Sequence, residues 1–185
     1  MLYLIGGASR SGKTTTAKRI LNETNIPYFS LDYLMMGIAN GIPELGVHPT
    51  EGDFITGQRL WKVINPLMTA MVENQIDYTI EGVQLIPNYV SQFEQTYPGK
   101  VMSCFIGMAE INVESVEEMK FHSSKTENDG FKELSHAEAM AELVRIKTDS
   151  IRIMEECEKH NLKYFESSFH FEKTLDTIVS YFLRK

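Results

Sequence analysis

The stretch LYLIGGASRSGKTTTAKRI, residues 2–20, decides the fold. Leu2, Tyr3, Leu4 and Ile5 make a short apolar run that stops at Gly6 and Gly7, as a buried strand does before a turn. A polar loop follows, and residues 13–23 read as a helix. Residues 7–14, Gly7-Ala8-Ser9-Arg10-Ser11-Gly12-Lys13-Thr14, match the pattern G-x-x-x-x-G-K-[ST] without a gap. A loop of this kind holds phosphate. Its glycines let successive backbone N–H groups converge into an anion nest, and the helix behind it adds a positive N-terminal end. Lys13 brings a point charge to the β- and γ-phosphates. Thr14 offers a hydroxyl that suits Mg2+, a hard cation that prefers oxygen and retains water. Thr15 follows as a further contact, and Arg10 faces either phosphate or solvent.

Beyond this loop, strands alternate with helices. YFSL at 28–31 reads as a second strand ending at Asp32, YTIEGV at 78–83 as a third, VMSCFIG at 101–107 as a fourth and KYFES at 163–167 as a fifth. Residues 32–40 are helical in pattern, and 40–52 form a Gly- and Pro-bearing loop. Asp53 reads as the cap of a helix in which Phe54, Trp61, Ile64, Met68 and Met71 recur at helical spacing. Pro66 is expected to kink or interrupt it. A short helix is expected in PNYVSQFEQTY and another over 112–120. Residues 121–134 read as a polar, irregular and mobile excursion. Ser135 and Glu138 form a capping box that opens a long helix to about His160. Leu175, Ile178, Val179 and Phe182 mark a closing amphipathic helix. This alternation predicts a single α/β domain with a parallel sheet covered on both faces.

Composition narrows the function. The 185 residues carry a formal net charge of −7, from 18 Lys and Arg against 25 Asp and Glu. A nucleic-acid binder needs a basic stripe, which this balance opposes, while a small anionic ligand needs only one local pocket. The opening apolar run is too short for a signal peptide, and no run is long enough to span a membrane. Cys104 sits in an apolar strand and Cys157 in a charged helix, with no metal or disulfide spacing. A reducing, cytoplasmic setting is expected.

The loop, the length and the five-strand pattern resemble the small-molecule kinases of the P-loop superfamily, such as adenylate, shikimate and nucleoside kinases. IEGVQLIP, residues 80–87, is similar to a stretch of 2-phosphoglycerate-kinase-like proteins. The resemblance implies a three-layer fold with a five-stranded parallel sheet in the order 2-3-1-4-5. It also implies an acceptor-binding region over 32–75 and a lid over 112–134. ATP and Mg2+ are the implied cofactors, with residues 7–15 as the phosphate site and Ser167, in the loop after strand 5, near the adenine. The implied partner is a small-molecule phosphate acceptor, in a monomer or homodimer.

Within that frame each acid has a role. Asp32, outside the carboxyl end of strand 2, accepts or positions the proton of an attacking hydroxyl, or else caps the next helix. Glu81, ending strand 3, orients the water shell of Mg2+ or grips the acceptor. Arginines usually cover the γ-phosphate in such kinases. Residues 121–134 contain Lys125 and Lys132 but no arginine, so Arg145, Lys147 and Arg152 on the long helix are the alternatives. Arg145 and Arg152 share a helix face. Met35, Met36 and Trp61 line the acceptor pocket or belong to the core. Residues 32–58 contain no arginine, and Arg59 is the first beyond them, which argues against a nucleoside monophosphate acceptor. The chain lacks the N-K-x-D stretch of a guanine switch. An adenylate or nucleoside monophosphate kinase, and from another class a nucleotide switch or regulatory nucleotide binder without an acceptor, are the alternatives.

Overall fold

The computed structural model describes residues 1–124 and 130–183. Five strands, β1 (Leu2–Gly7), β2 (Tyr28–Ser30), β3 (Tyr78–Glu81), β4 (Val101–Gly107) and β5 (Tyr164–Glu166), form one sheet in the order β2-β3-β1-β4-β5. Every pairing is parallel. The helices are α1 (Lys13–Thr24), α2 (Leu31–Gly41), α3 (Asp53–Glu73), α4 (Pro87–Thr96), α5 (Val116–Ser124), α6 (His136–Lys159) and α7 (Phe171–Leu183). Short 3-10 turns occupy Pro43–Leu45 and Gly130–Glu133. Among the described residues, no helix is long and apolar enough to cross a membrane.

Side-chain alternation along the central strands divides the core into two layers. Leu2 and Leu4 face one side with Phe105, against Leu60, Ile64 and Met68 of α3, Val90 and Phe93 of α4 and Cys157 of α6. Tyr3 and Ile5 face the other with Cys104 and Ile106, against Ala17 and Ile20 of α1 and Leu175, Ile178, Val179 and Phe182 of α7. A third cluster joins Val116 and Phe131 to Ala139, Leu143 and Ile146 of α6.

Several boundaries depart from the sequence reading. β2 ends at Ser30, one residue early, because it pairs on one side only and its ladder with β3 ends at Ser30–Glu81. Asp32 therefore lies in the first turn of α2 instead of closing a strand. Gly52 takes the cap position of α3, and Asp53 is the first helical residue. Pro66 does not interrupt α3. It lies on the exposed face of the helix. Residues 112–115 form a turn, in which the Asn112 side chain accepts from the Glu114 N–H at 3.1 Å, so α5 starts at Val116. Nor is 121–134 uniformly irregular. α5 continues to Ser124, and Phe131 is fully buried. Lys125 lies outside the described residues. The capping box stands as expected: the Ser135 hydroxyl accepts from the Glu138 N–H, and the Glu138 carboxylate accepts from the Ser135 N–H.

Candidate functional site

Gly7 ends β1 in the middle of the sheet, with β3 and β4 on either side. Its φ is 131°, and a β-carbon there would lie 2.0 Å from the Ile106 carbonyl oxygen, so only glycine fits. The Ala8 N–H donates to that same carbonyl at 3.0 Å, which anchors the loop to β4. Ala8 is in turn the loop's inner hub. Its carbonyl accepts from the buried Ser11 hydroxyl at 2.8 Å and from the Lys13 ammonium at 2.5 Å. Behind the loop, the buried Ser167 hydroxyl lies 3.2 Å from the Ser11 carbonyl and 3.0 Å from that of Gly107. Ser167 thus braces the loop through its side chain, while Phe169 beyond it is 66% exposed. Helix α1 starts at Lys13, so the first amides of the helix have no carbonyl a turn earlier to bond. Arg10 takes a course the sequence did not foresee: its guanidinium lies 5.0 Å from the centre of the Phe131 ring, linking the loop after β1 to the segment before α6.

The carboxylates gather around Lys13. Thr14 donates to Glu81 Oε1 at 3.0 Å, so the hydroxyl suited to a hard cation and the acid ending β3 are direct neighbours. Glu81 is 1% exposed. Burial holds the Lys13 ammonium below its ordinary pKa, and Glu81, Asp32 and Asp53 oppose that shift. Asp32 is exposed, and its Oδ1 accepts from the Gln84 amide at 2.8 Å. Gln84 is fully buried. Gly82 makes room for its side chain, because a β-carbon there would lie 2.4 Å from Gln84 Oε1 and 2.8 Å from Leu31 Cβ. The segment Glu81-Gly82-Val83-Gln84 thereby serves two ends of the site: its acid meets Thr14 and its amide meets Asp32.

Alongside lies a cavity of about 400 Å3 whose wall includes Gly7. Val83, Leu85 and Ile86 form one side, the start of α3 another, and α6 a third. Arg145 and Arg152 both line it, as their spacing on α6 requires. Arg145 donates to both carboxylate oxygens of Glu142, at 2.9 and 2.7 Å, and to Asp149 at 3.2 Å, and it lies 3.5 Å from Asp53. The Glu142 hydrogen bonds foremost hold its pKa above the usual arginine value. Burial raises the Asp53 carboxyl above its usual range, with Arg145 opposing. The Arg152 guanidinium lies 3.9 Å from the centre of the Phe54 ring. Lys147 is turned elsewhere, to the Ile111 carbonyl at 3.2 Å. Arg59 is bound to Glu51 and to the Gly46 carbonyl. Trp61 stacks on Tyr89 in a separate groove between α3 and α4. Met35 packs against the core and Met36 is exposed.

Sequence reasoning missed Gln84, the ion pairing of Asp53 and the role of Glu166. Glu166 accepts from the Ala109 N–H at 2.9 Å and from the Ser168 N–H at 3.0 Å, tying together the loops that follow β4 and β5. An acid closing β5 was visible in the sequence, but its two partners belong to loops far apart along the chain.

No protein-family model matches the sequence, and no curated protein matches it. Solved structures do match. A shikimate kinase from Bacteroides thetaiotaomicron superposes with a TM-score of 0.57 at 13% identity, over 98% of this chain and 96% of that one. A gluconokinase from Sinorhizobium meliloti gives 0.55 at 13% identity, over 96% and 89%. A sugar kinase from a Janibacter species gives 0.56 at 17% identity, over 98% and 93%. Strand order, the loop at the end of β1 and these superpositions agree: the chain has the fold of the P-loop small-molecule kinases.

Proposed function

We propose that this protein is an ATP-dependent kinase that transfers the γ-phosphoryl group to a hydroxyl of a small molecule. The observation that carries the reading is the convergence of Lys13, Thr14, Glu81 and Asp32 at one end of the sheet, beside a cavity that reaches Gly7. Residues 7–15 cradle the phosphates through backbone amides, and Lys13 exchanges its bond to the Ala8 carbonyl for one to phosphate oxygen. Mg2+ supplies charge neutralisation at the β- and γ-phosphates. Thr14 and Glu81 fit that ion, the first as a direct oxygen ligand and the second as an acceptor for its water.

Asp32 orients the acceptor hydroxyl and takes its proton as the new oxygen–phosphorus bond forms and the bond to the β-phosphate oxygen breaks, releasing ADP. The base of ATP lies near the loop that begins at Ser167, and Arg145 stabilises charge at the cavity wall. The test is ADP release from Mg·ATP across a panel of hydroxyl-bearing metabolites. Acceptor-stimulated release is expected. Lys13→Met should abolish nucleotide binding, whereas Asp32→Asn should retain it and lose about 100-fold or more in turnover. Nucleotide binding with no stimulation by any acceptor would instead favour a regulatory nucleotide binder.

A further inference from the structure

Charge pairing sets one side chain of the cavity beside Gly7 apart from the others. Glu51, Asp53, Asp149 and Glu156 line the cavity together with Arg145 and Arg152. Each of the four carboxylates has a cation. Glu51 is bound to Arg59, Asp53 and Asp149 lie 3.5 and 3.2 Å from Arg145, and Glu156 lies 3.4 Å from Lys159. Arg145 is engaged in turn, because Glu142 takes two more of its donors. Arg152 differs. Its guanidinium lies 3.9 Å from the centre of the Phe54 ring, and it has no hydrogen bond or ion pair among the described residues. Stacking on a ring engages the face of a guanidinium and leaves its in-plane N–H groups open. It also restricts the side chain, so the donor fork is held before a ligand arrives.

Resting on the kinase reading above, we infer that the acceptor is a small polyhydroxy carboxylate, and that Arg152 selects it by binding the carboxylate through its open fork. The two oxygens of a carboxylate match two parallel N–H groups of a guanidinium. A phosphate ester also fits a fork, but Asp149 and Glu156 stand one turn before and one turn after Arg152 on α6. Against them a dianion meets nearly twice the repulsion of a monoanion. The carbon skeleton lies against Leu85 and Ile86 in the cavity wall, and a hydroxyl points past Gly7 to the terminal phosphate. Asp53, in the same wall, feels the charges of Lys13 and Asp32, so the cavity adjoins the place of transfer. Its volume of about 400 Å3 falls in the range of small-ligand sites.

The test uses triplets that share a carbon skeleton and differ in charge: glycerol, glycerate and glycerol 3-phosphate, and sorbitol, gluconate and sorbitol 6-phosphate. Dissociation constants are measured by calorimetry on the full chain with a non-hydrolysable Mg·ATP analogue, and ADP release is followed with Mg·ATP. In at least one triplet the carboxylate should bind about 10-fold or more tightly than the neutral polyol and than the phosphate ester. Arg152→Gln should bring the carboxylate and the polyol to within about 2-fold of each other, with nucleotide affinity retained. Phe54→Leu, which removes the ring and keeps the arginine, should weaken the carboxylate several-fold. Tighter binding of the polyol or the phosphate ester, no binding of any carboxylate, or a preference that survives Arg152→Gln overturns the inference. Transfer to a neutral polyol alone would leave the kinase reading standing without it. Arg152-dependent carboxylate binding without transfer would support the assignment of Arg152 and remove the kinase reading.

Discussion

Replacing Gln84 with methionine separates the structural role of this residue from its role at the site. Gln84 is fully buried and donates to Asp32 at 2.8 Å, while its Oε1 is buried with no hydrogen-bond partner among the described residues. A hydrogen bond to a charged acceptor contributes about 1.5–3 kcal/mol, toward the lower end here because Asp32 is exposed. A buried polar atom without a partner costs about 1–3 kcal/mol. Methionine, of similar length and volume, removes both terms, so the change in stability should stay within about 1 kcal/mol. For a chain of this size that is about 2–4 °C in Tm. Asp32 meanwhile loses the donor that fixes its orientation. A misplacement of about 1 Å costs on the order of 100-fold in turnover, so acceptor-stimulated ADP release should fall about 10- to 100-fold with nucleotide affinity retained. Scanning calorimetry and a coupled ADP assay read the two effects separately. A stability loss above about 3 kcal/mol would mean that Oε1 is satisfied and the balance is wrong. Unchanged turnover at unchanged stability would mean that Asp32 needs no such holder.

Two further outcomes follow from buried or capped groups. Burial raises the Cys104 thiol well above its ordinary pKa and pushes Cys157 up to about 12, so neither is a thiolate at neutral pH. Both should resist a thiol-specific disulfide reagent at pH 8 and react together once the chain unfolds. Rapid titration of one equivalent in the native protein would contradict that burial. The second concerns acid stability. Hydrogen bonds from Ser135 hold the Glu138 carboxyl below its ordinary value of 4.5. A depressed carboxylate stabilises the fold above its unfolded pKa, and that contribution disappears as pH falls through the folded value. Ser135→Ala should therefore lower Tm by a constant amount above about pH 5.5, and the gap should narrow toward pH 3. A gap independent of pH would show that the carboxylate takes no part in the cap.

What the sequence made legible was local. The run ending at Gly6 and Gly7, the glycine-rich loop after it, the capping box and the stripe Leu175, Ile178, Val179 and Phe182 each lie within a few residues, where spacing and side-chain type determine the backbone. Of the kink or interruption expected at Pro66, the interruption did not occur: α3 runs through it from Asp53 to Glu73. The irregular segment expected through residue 134 overlooked Phe131, whose apolar ring packs into the cluster built on α6. A polar average over the segment concealed a buried apolar side chain.

The sequence by itself determined that a strand, a glycine-rich loop and a helix stand at the head of an alternating α/β chain, because each is encoded by neighbours. Only the tertiary structure decided what that loop faces. Gln84 reaches Asp32 across 52 residues, Thr14 reaches Glu81 across 67, and Ser167 reaches Ser11 across 156. These contacts exist because parallel strands bring their carboxyl ends to one edge of the sheet, whatever their distance along the chain. The arginines on α6 were visible as residues. Their engagement with Glu142, Asp149 and Phe54 was not, because it depends on how α6 and α3 meet over the sheet.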